Sequence, residues 1–145
     1  FRHGGVGDDL HTGRKGGLGF GARDTPGFLN LISAAGYLES LSHHYPRFNT
    51  EALADLVAGF ALEPHLNKPM YMLSAGSKRK VWLSAAFAAG TPLTLIDQPF
   101  AALDAPSMRF LTELLQEAAS HPSRAWVIAD YEAPAGIALA SVINL

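Results

Sequence analysis

The sequence predicts an α/β fold built on a parallel sheet, and two observations predict it. First, two short apolar runs each end in an acid: Leu93-Thr94-Leu95-Ile96 before Asp97, and Ala125-Trp126-Val127-Ile128-Ala129 before Asp130. Runs of this length and composition read as buried strands. Second, helical stripes alternate with them, Val81 to Ala88 before the first and Phe110, Leu111, Leu114, Leu115 and Ala118 between the two. Strand–helix alternation implies parallel pairing. A carboxylate at the C-terminal end of such a strand lies where open α/β sheets bind ligands.

Length and composition bound the rest. With 145 residues, 48% hydrophobic and 17% charged, the chain is one domain at most and long enough to bury a real core. A net charge of −2 gives no electrostatic reason to expect nucleic acid or an anionic membrane as partner. The absence of cysteine excludes disulfides and thiolate metal sites, and it fits a cytosolic protein. The longest apolar candidate, Val81 to Ile96, is broken by Ser84, Gly90 and Pro92 and is no membrane span. No signal peptide is present, and the ends at Phe1 and Leu145 read as cut.

Most of the fourteen glycines fall in residues 1–30, scattered among His, Asp, Arg and Lys without an apolar period. Such a segment has little to bury against the entropy of ordering it, so 1–24 reads as flexible or non-native. Gly13-Arg14-Lys15-Gly16 does not make a phosphate loop, because G-x-x-x-x-G-K-[ST] needs Lys after the last Gly and then a hydroxyl. Thr25-Pro26-Gly27 is a turn signal. Ser33 can cap a helix through Tyr37, Leu38 and Leu41 to about His43. After Tyr45-Pro46-Arg47, Asn49 or Thr50 can cap a second, with Leu53, Leu56, Val57 and Phe60 on one stripe. His43 and His44 are adjacent, cannot share a helix face, and read as solvated residues at a helix end. His65 reads as packing in the connection that follows.

Ser74 or Ser77 can cap the next helix, which opens with Lys78, Arg79 and Lys80 and stops at Gly90. Asp104 can cap the one after, with Pro106 in its first turn and His121-Pro122-Ser123 ending it. A short helix near Pro134 and a last strand, Ser141 to Leu145, complete the expected alternation.

Within this frame, Leu73-Ser74-Ala75-Gly76-Ser77 resembles the signature motif L-S-G-G-Q of ATP-binding cassette (ABC) ATPases. Leu93 to Phe100 resembles the family's Walker B strand, and Ala101-Ala102-Leu103-Asp104 its D-loop. The spacing agrees as well: Asp97 follows Leu73 by 24 residues and Asp104 follows Asp97 by 7. Two motifs in register across one helix and one strand are a specific signal. The resemblance covers about 25–145. It implies a partial P-loop ATPase, the ABC nucleotide-binding domain, with a helical subdomain at about 31–72 and a signature and Walker B lobe at about 73–145. The Walker A half is missing from these residues, and Arg23 stands where the family's Q-loop has Gln.

The resemblance also assigns roles. Asp97 is implied as the Mg²⁺ ligand, and Gln98 occupies the catalytic-base position, normally Glu. Asp130 occupies the switch-histidine position, 26 residues beyond the D-loop Asp104. Ser74, Ala75, Gly76 and Ser77 are implied to reach the ATP of a partner cassette, a role suited to a helix N-terminus with free N–H groups and a hydroxyl. An amide can hold water but cannot take its proton, and an anion beside a γ-phosphate repels it. Both departures weaken catalysis at this chain's own site.

The implied function is ATP binding and hydrolysis, with ATP and Mg²⁺ as cofactors, at a homo- or heterodimeric cassette interface driving a separate transmembrane permease. The implied location is cytoplasmic, peripheral on the inner face of the membrane, with no nucleic acid partner. The rival reading is a non-catalytic ABC subunit or interaction module that completes a partner's ATP site through its signature motif. A chromosome-maintenance ATPase lobe would share both motifs, but no heptads or basic patch support it.

Overall fold

The computed structural model describes residues 17–20 and 31–145. Strand β1 (Gly17–Phe20) is followed by α1 (Ala34–His44), α2 (Thr50–Gly59) and two 3₁₀ turns, Glu63–His65 and Met70–Met72. Then come α3 (Ala75–Ala88), β2 (Leu93–Asp97), α4 (Ala105–Ala119) and β3 (Ala125–Ala129). The sheet has the order β1-β2-β3 and both pairings are parallel, Gly17 opposite Leu93 and Leu93 opposite Ala125. Parallel β2 and β3 joined through α4 form the expected βαβ unit.

Each helix begins where a side chain satisfies its orphan amides. Ser33, Asn49, Ser74 and Asp104 cap α1 to α4, accepting from the amides of Gly36, Ala52, Ser77 and Ser107. Between the alternatives open in the sequence, Asn49 caps rather than Thr50 and Ser74 rather than Ser77. Gly90 ends α3 at φ 66°, a left-handed stop that favours glycine. Carbonyls at and just beyond the C-terminal end of α3 are met by Arg124. Its guanidinium donates to the carbonyls of Thr91 at 3.0 Å and Phe87 at 3.2 Å, and lies 4.6 Å over the Trp126 ring.

Helix α3 is the hub. Arg79, Val81 to Ala86 and Ala88 are buried around its circumference rather than along one stripe. It packs on α2, α1 and β1, while α4 packs on β3. One core joins Leu38 and Leu41 of α1, Leu56 and Phe60 at α2, Met70, Val81 and Leu83, Ile96 of β2, and Leu111 and Leu115 of α4. Residues 31–72 and 73–145 therefore share a hydrophobic core. Each large apolar side chain buried in it contributes about 1.5–3 kcal/mol.

Three expectations need correction. The strands are not buried on both faces: Thr94 and Ile96 are buried, whereas Leu93, Leu95 and Val127 are 38%, 42% and 52% exposed. The described helices pack against the Thr94–Ile96 face, and among the described residues nothing covers the other. No strand forms at Ser141–Leu145 and no helix near Pro134. Gly136 turns there at φ 76°, the Gln116 amide holds its carbonyl at 2.8 Å, and the tail runs on exposed without a ladder partner. Within the glycine-rich segment, Gly17–Phe20 forms β1, which no periodicity announced. The flexible reading of the rest of 1–24, the comparison at Gly13–Gly16, Arg23 and the turn at Thr25–Gly27 fall outside the described residues.

Gly59 closes α2 directly beneath the ring of Phe110, which meets Phe60 edge to face with centroids 4.9 Å apart. Any Cβ at position 59 would occupy the space of that ring. Gly59→Ala should destabilise the protein by about 1–3 kcal/mol through overpacking, read as a lower urea midpoint at unchanged slope.

The Asp104 cap carries a second contact, the Lys80 ammonium 2.7 Å from its Oδ2. Lys80 first, then the hydroxyl and amide of Ser107, hold the Asp104 carboxyl well below the usual carboxylate range. A carboxylate whose folded pKa is depressed stabilises the fold above its unfolded value of about 3.9 and loses that contribution as pH falls below it. Asp104→Ala should cost about 1 kcal/mol at neutral pH through the lost cap. Asp104→Asn, which can still cap, should be less stable than wild type at pH 6, with the gap closing as pH is lowered below about 4. Urea unfolding of the three proteins across that range checks both expectations.

Candidate functional site

The residues singled out in the sequence gather at the C-terminal edge of the sheet, around the start of α3. Three features of the chain bring them there. Strand β2 ends at Asp97, the turn 98–104 leads into α4, and the N-terminal turn of α3 lies against that turn.

The α3 start is a polar turn of small residues, with Ser74 and Ala75 exposed. Ser74 Oγ accepts from the Ser77 amide at 3.1 Å and lies 3.0 Å from Ser77 Oγ. Gly76 stands so close to the turn that an added Cβ would be 2.5 Å from the carbonyl oxygen of Ala102. Glycine is required there by the neighbouring backbone, since Gly76 itself is helical. Ala75 is exposed and has room for its methyl group.

The strand end is held from two sides. The Asp97 side chain is exposed, and its carbonyl accepts from Arg79 Nη1 at 2.7 Å. Gln98 follows at φ 45° and is half-buried, its amide donating to the Ala129 carbonyl at 2.8 Å. Ala102 is also left-handed, at φ 62°. Such conformations cost on the order of 1–3 kcal/mol each in residues with a side chain and cluster where a site is over-determined by its surroundings.

Asp130 lies one residue beyond β3, exposed, with Oδ1 accepting from the Tyr131 amide at 2.8 Å. Because Asp97 pairs with Ala129, Gln98 and Asp130 are neighbours on adjacent strand ends. The Lys80–Asp104 pair joins α3 to the cap of α4. All eight candidate positions, 74–77, 97, 98, 104 and 130, thus fall along one edge.

A Mg²⁺ site is tested by its donors. Among the described residues no group of three or more His, Asp or Glu could hold a metal by itself. Mg²⁺ bound with a nucleotide usually takes one or two carboxylates, with waters and phosphates completing the octahedron. One exposed carboxylate at the strand end, Asp97, fits that demand.

Sequence reasoning missed Arg79 and Lys80 as parts of the site. A signal existed: three cations open α3 at its positive end, where the helix dipole disfavours them, so each calls for a specific partner. Two have one, Asp97 and Asp104. The left-handed Ala102 carries no sequence signal.

Comparison with known proteins agrees with this geometry. No protein-family model matches the chain. The chain is 47% identical over 90 residues to a cytochrome c biogenesis ATP-binding export protein, CcmA, of Paramagnetospirillum magneticum, covering 60% of the chain and 42% of that protein. It is 30% identical over 95 residues to the nickel import ATP-binding protein NikO of Rhodobacter capsulatus, covering 63% of the chain and 37% of that protein. A solved ATP-binding subunit of an ABC transporter superposes with a TM-score of 0.68 at 25% identity, over 86% of the chain and 52% of that structure. The chain spans about two-fifths of the length of these two relatives. Motif register, edge geometry and these likenesses agree: the chain has the fold of a partial ABC ATPase nucleotide-binding cassette and is similar in sequence to ABC ATP-binding proteins.

Proposed function

We propose that this cassette portion belongs to the ATP-binding subunit of a membrane transporter and works at the interface of a cassette dimer. One observation carries the reading: the signature-like turn at Ser74–Ser77 and the strand end at Asp97–Gln98 are packed together through Gly76 and Ala102. Each turn then serves a different nucleotide. Asp97 and Gln98 face the ATP of their own cassette, and Ser74 with the α3 amides faces the ATP of the partner.

Phosphoryl transfer is mostly positioning and charge stabilisation. Mg²⁺, when bound, would neutralise charge on the phosphate oxygens, with Asp97 holding it. Gln98 can orient a water through its amide but leaves the water's proton without an acceptor. Asp130, beside Gln98, would place a negative charge near the γ-phosphate. Ser74 needs its hydroxyl proton for a partner's phosphate, and a rotation of that hydroxyl away from Ser77 supplies it.

The names of the relatives include both an export and an import protein, so the transported substrate and direction stay open. No described helix is long and apolar enough to cross a membrane. A cassette of this kind would reach the membrane by docking on a permease, at its cytoplasmic face. Gln98 and Asp130 favour a second reading, in which the chain keeps only the Ser74 face to complete a catalytic partner's site.

Two measurements test these readings. The 145 residues contain no G-x-x-x-x-G-K-[ST] segment, so the purified chain should release no phosphate from Mg²⁺–ATP. Turnover of about 1–100 s⁻¹ would contradict this. With a Walker A half supplied by grafting, Gln98→Glu should raise hydrolysis about 10²–10⁴-fold if the site descends from a working ATPase. Asp130→His should raise it further, without strict additivity because both act on one water and phosphate. Rates unmoved by either change would leave only the non-catalytic reading.

A further inference from the structure

Arg79 is 8% exposed, although it stands near the positive end of α3. A guanidinium keeps its proton, so burial leaves a charge that the surroundings must compensate. Its recorded hydrogen bond goes to a single atom, the carbonyl oxygen of Asp97, 2.7 Å from Nη1. Desolvation lowers the Arg79 pKa, and the nearby Asp97 charge opposes that shift.

The choice of carbonyl matters. The Asp97 C=O and the Gln98 N–H belong to one peptide unit, which is planar and rigid. Arg79 holds its oxygen, and the Ala129 carbonyl holds its N–H at 2.8 Å. With both polar groups gripped, that plane cannot swing about its flanking Cα atoms. The swing would alter ψ of Asp97, on which the rotamers open to its carboxylate depend, and φ of Gln98, which aims that residue's side chain. Gln98 at φ 45° also needs such restraint, because a free chain would leave that region.

We propose that Arg79 is a positioning residue for Asp97 and Gln98, acting through the peptide between them. It locks the strand-end carboxylate in the orientation that binds the divalent cation. The proposal rests on the reading of Asp97 as the Mg²⁺ ligand, and the arginine acts as an outer-shell partner of that ligand. Outer-shell groups of this kind typically change metal affinity about 10–100-fold.

The test uses Mn²⁺ as a paramagnetic probe on the isotopically labelled 145-residue chain, without nucleotide. It reads line broadening at the Asp97, Gln98 and Ala129 amides by NMR, with a melting curve for each variant. Wild type should show saturable broadening there, and Asp97→Asn should lose it. Arg79→Met should bind Mn²⁺ about tenfold more weakly or worse, with the Asp97 carbonyl resonance moved. Coulomb's law alone predicts the reverse, since deleting a cation beside a carboxylate favours a second cation. Arg79→Lys keeps the charge and one donor and should recover part of the loss.

If Asp97→Asn binds as wild type does, the metal reading falls and this proposal with it. If Asp97→Asn abolishes binding while Arg79→Met binds as tightly as wild type or tighter, only the role of Arg79 is overturned. Should Arg79→Met not fold, Arg79→Lys decides. Weaker Mn²⁺ binding with a moved Asp97 carbonyl resonance supports positioning, and wild-type values for both overturn it.

Discussion

The edge of the sheet depends on how the first two turns of α3 press against the connection from β2 to α4. Gly76 admits the Ala102 carbonyl, Arg79 takes the Asp97 carbonyl, and Lys80 takes the Asp104 carboxylate. A side chain at Gly76 would put its Cβ 2.5 Å from the Ala102 carbonyl oxygen, so the turn would have to shift and strain the other two contacts. Two residues of that turn, Gln98 and Ala102, hold left-handed backbones that α3 helps to maintain. A change at the signature-like turn is therefore felt at Asp97 and Gln98 through the Ala102 backbone and the buried Arg79 guanidinium.

The core explains why α3 can bear this load. Its side chains are buried on every side from Val81 to Ala86, so the helix is fixed by α1 and α2 on one hand and by the sheet and α4 on the other. Its far end is fixed too, by Arg124 reaching back from the start of β3 and stacking on Trp126, which in turn stacks on Phe87. The price is an uneven sheet: Thr94 and Ile96 are buried while Leu93, Leu95 and Val127 stay exposed among the described residues.

Local signals in the sequence located most of the fold. Ser33, Asp104 and Gly90 are cap and stop residues with one-residue precision, and the α3 cap is narrowed to Ser74 or Ser77, because capping is a contact over three positions and needs no tertiary knowledge. Asp97, Gln98 and Asp130 are singled out by motif spacing, and the pairing of β2 with β3 makes them neighbours. What failed depended on partners distant in sequence. An apolar run such as Ser141–Leu145 reads as a strand whether or not another strand receives it, and among the described residues none does. The four residues of β1 alternate glycine with Leu18 and Phe20, too short a run among glycines to announce a strand, and their pairing with β2 is a tertiary contact. The partners of Arg79 and Lys80 lie 18 and 24 residues away, beyond the reach of local reasoning.

Chemically, the chain offers two faces of unequal fitness. On the proposed reading, Gln98 could hold a water but not take its proton, and Asp130 would add a negative charge near the γ-phosphate. The Ser74 face keeps a hydroxyl, a close-packed glycine and free helix amides, the features an incoming phosphate requires. We propose that this face completes the ATP site of a second cassette. To test it, the chain is mixed with a cassette that has an intact Walker A and catalytic Glu but a disabled signature motif, and phosphate release is followed. Adding the chain should restore release, and Ser74→Ala in the chain should abolish the restoration. No restoration, or restoration indifferent to Ser74→Ala, would contradict it.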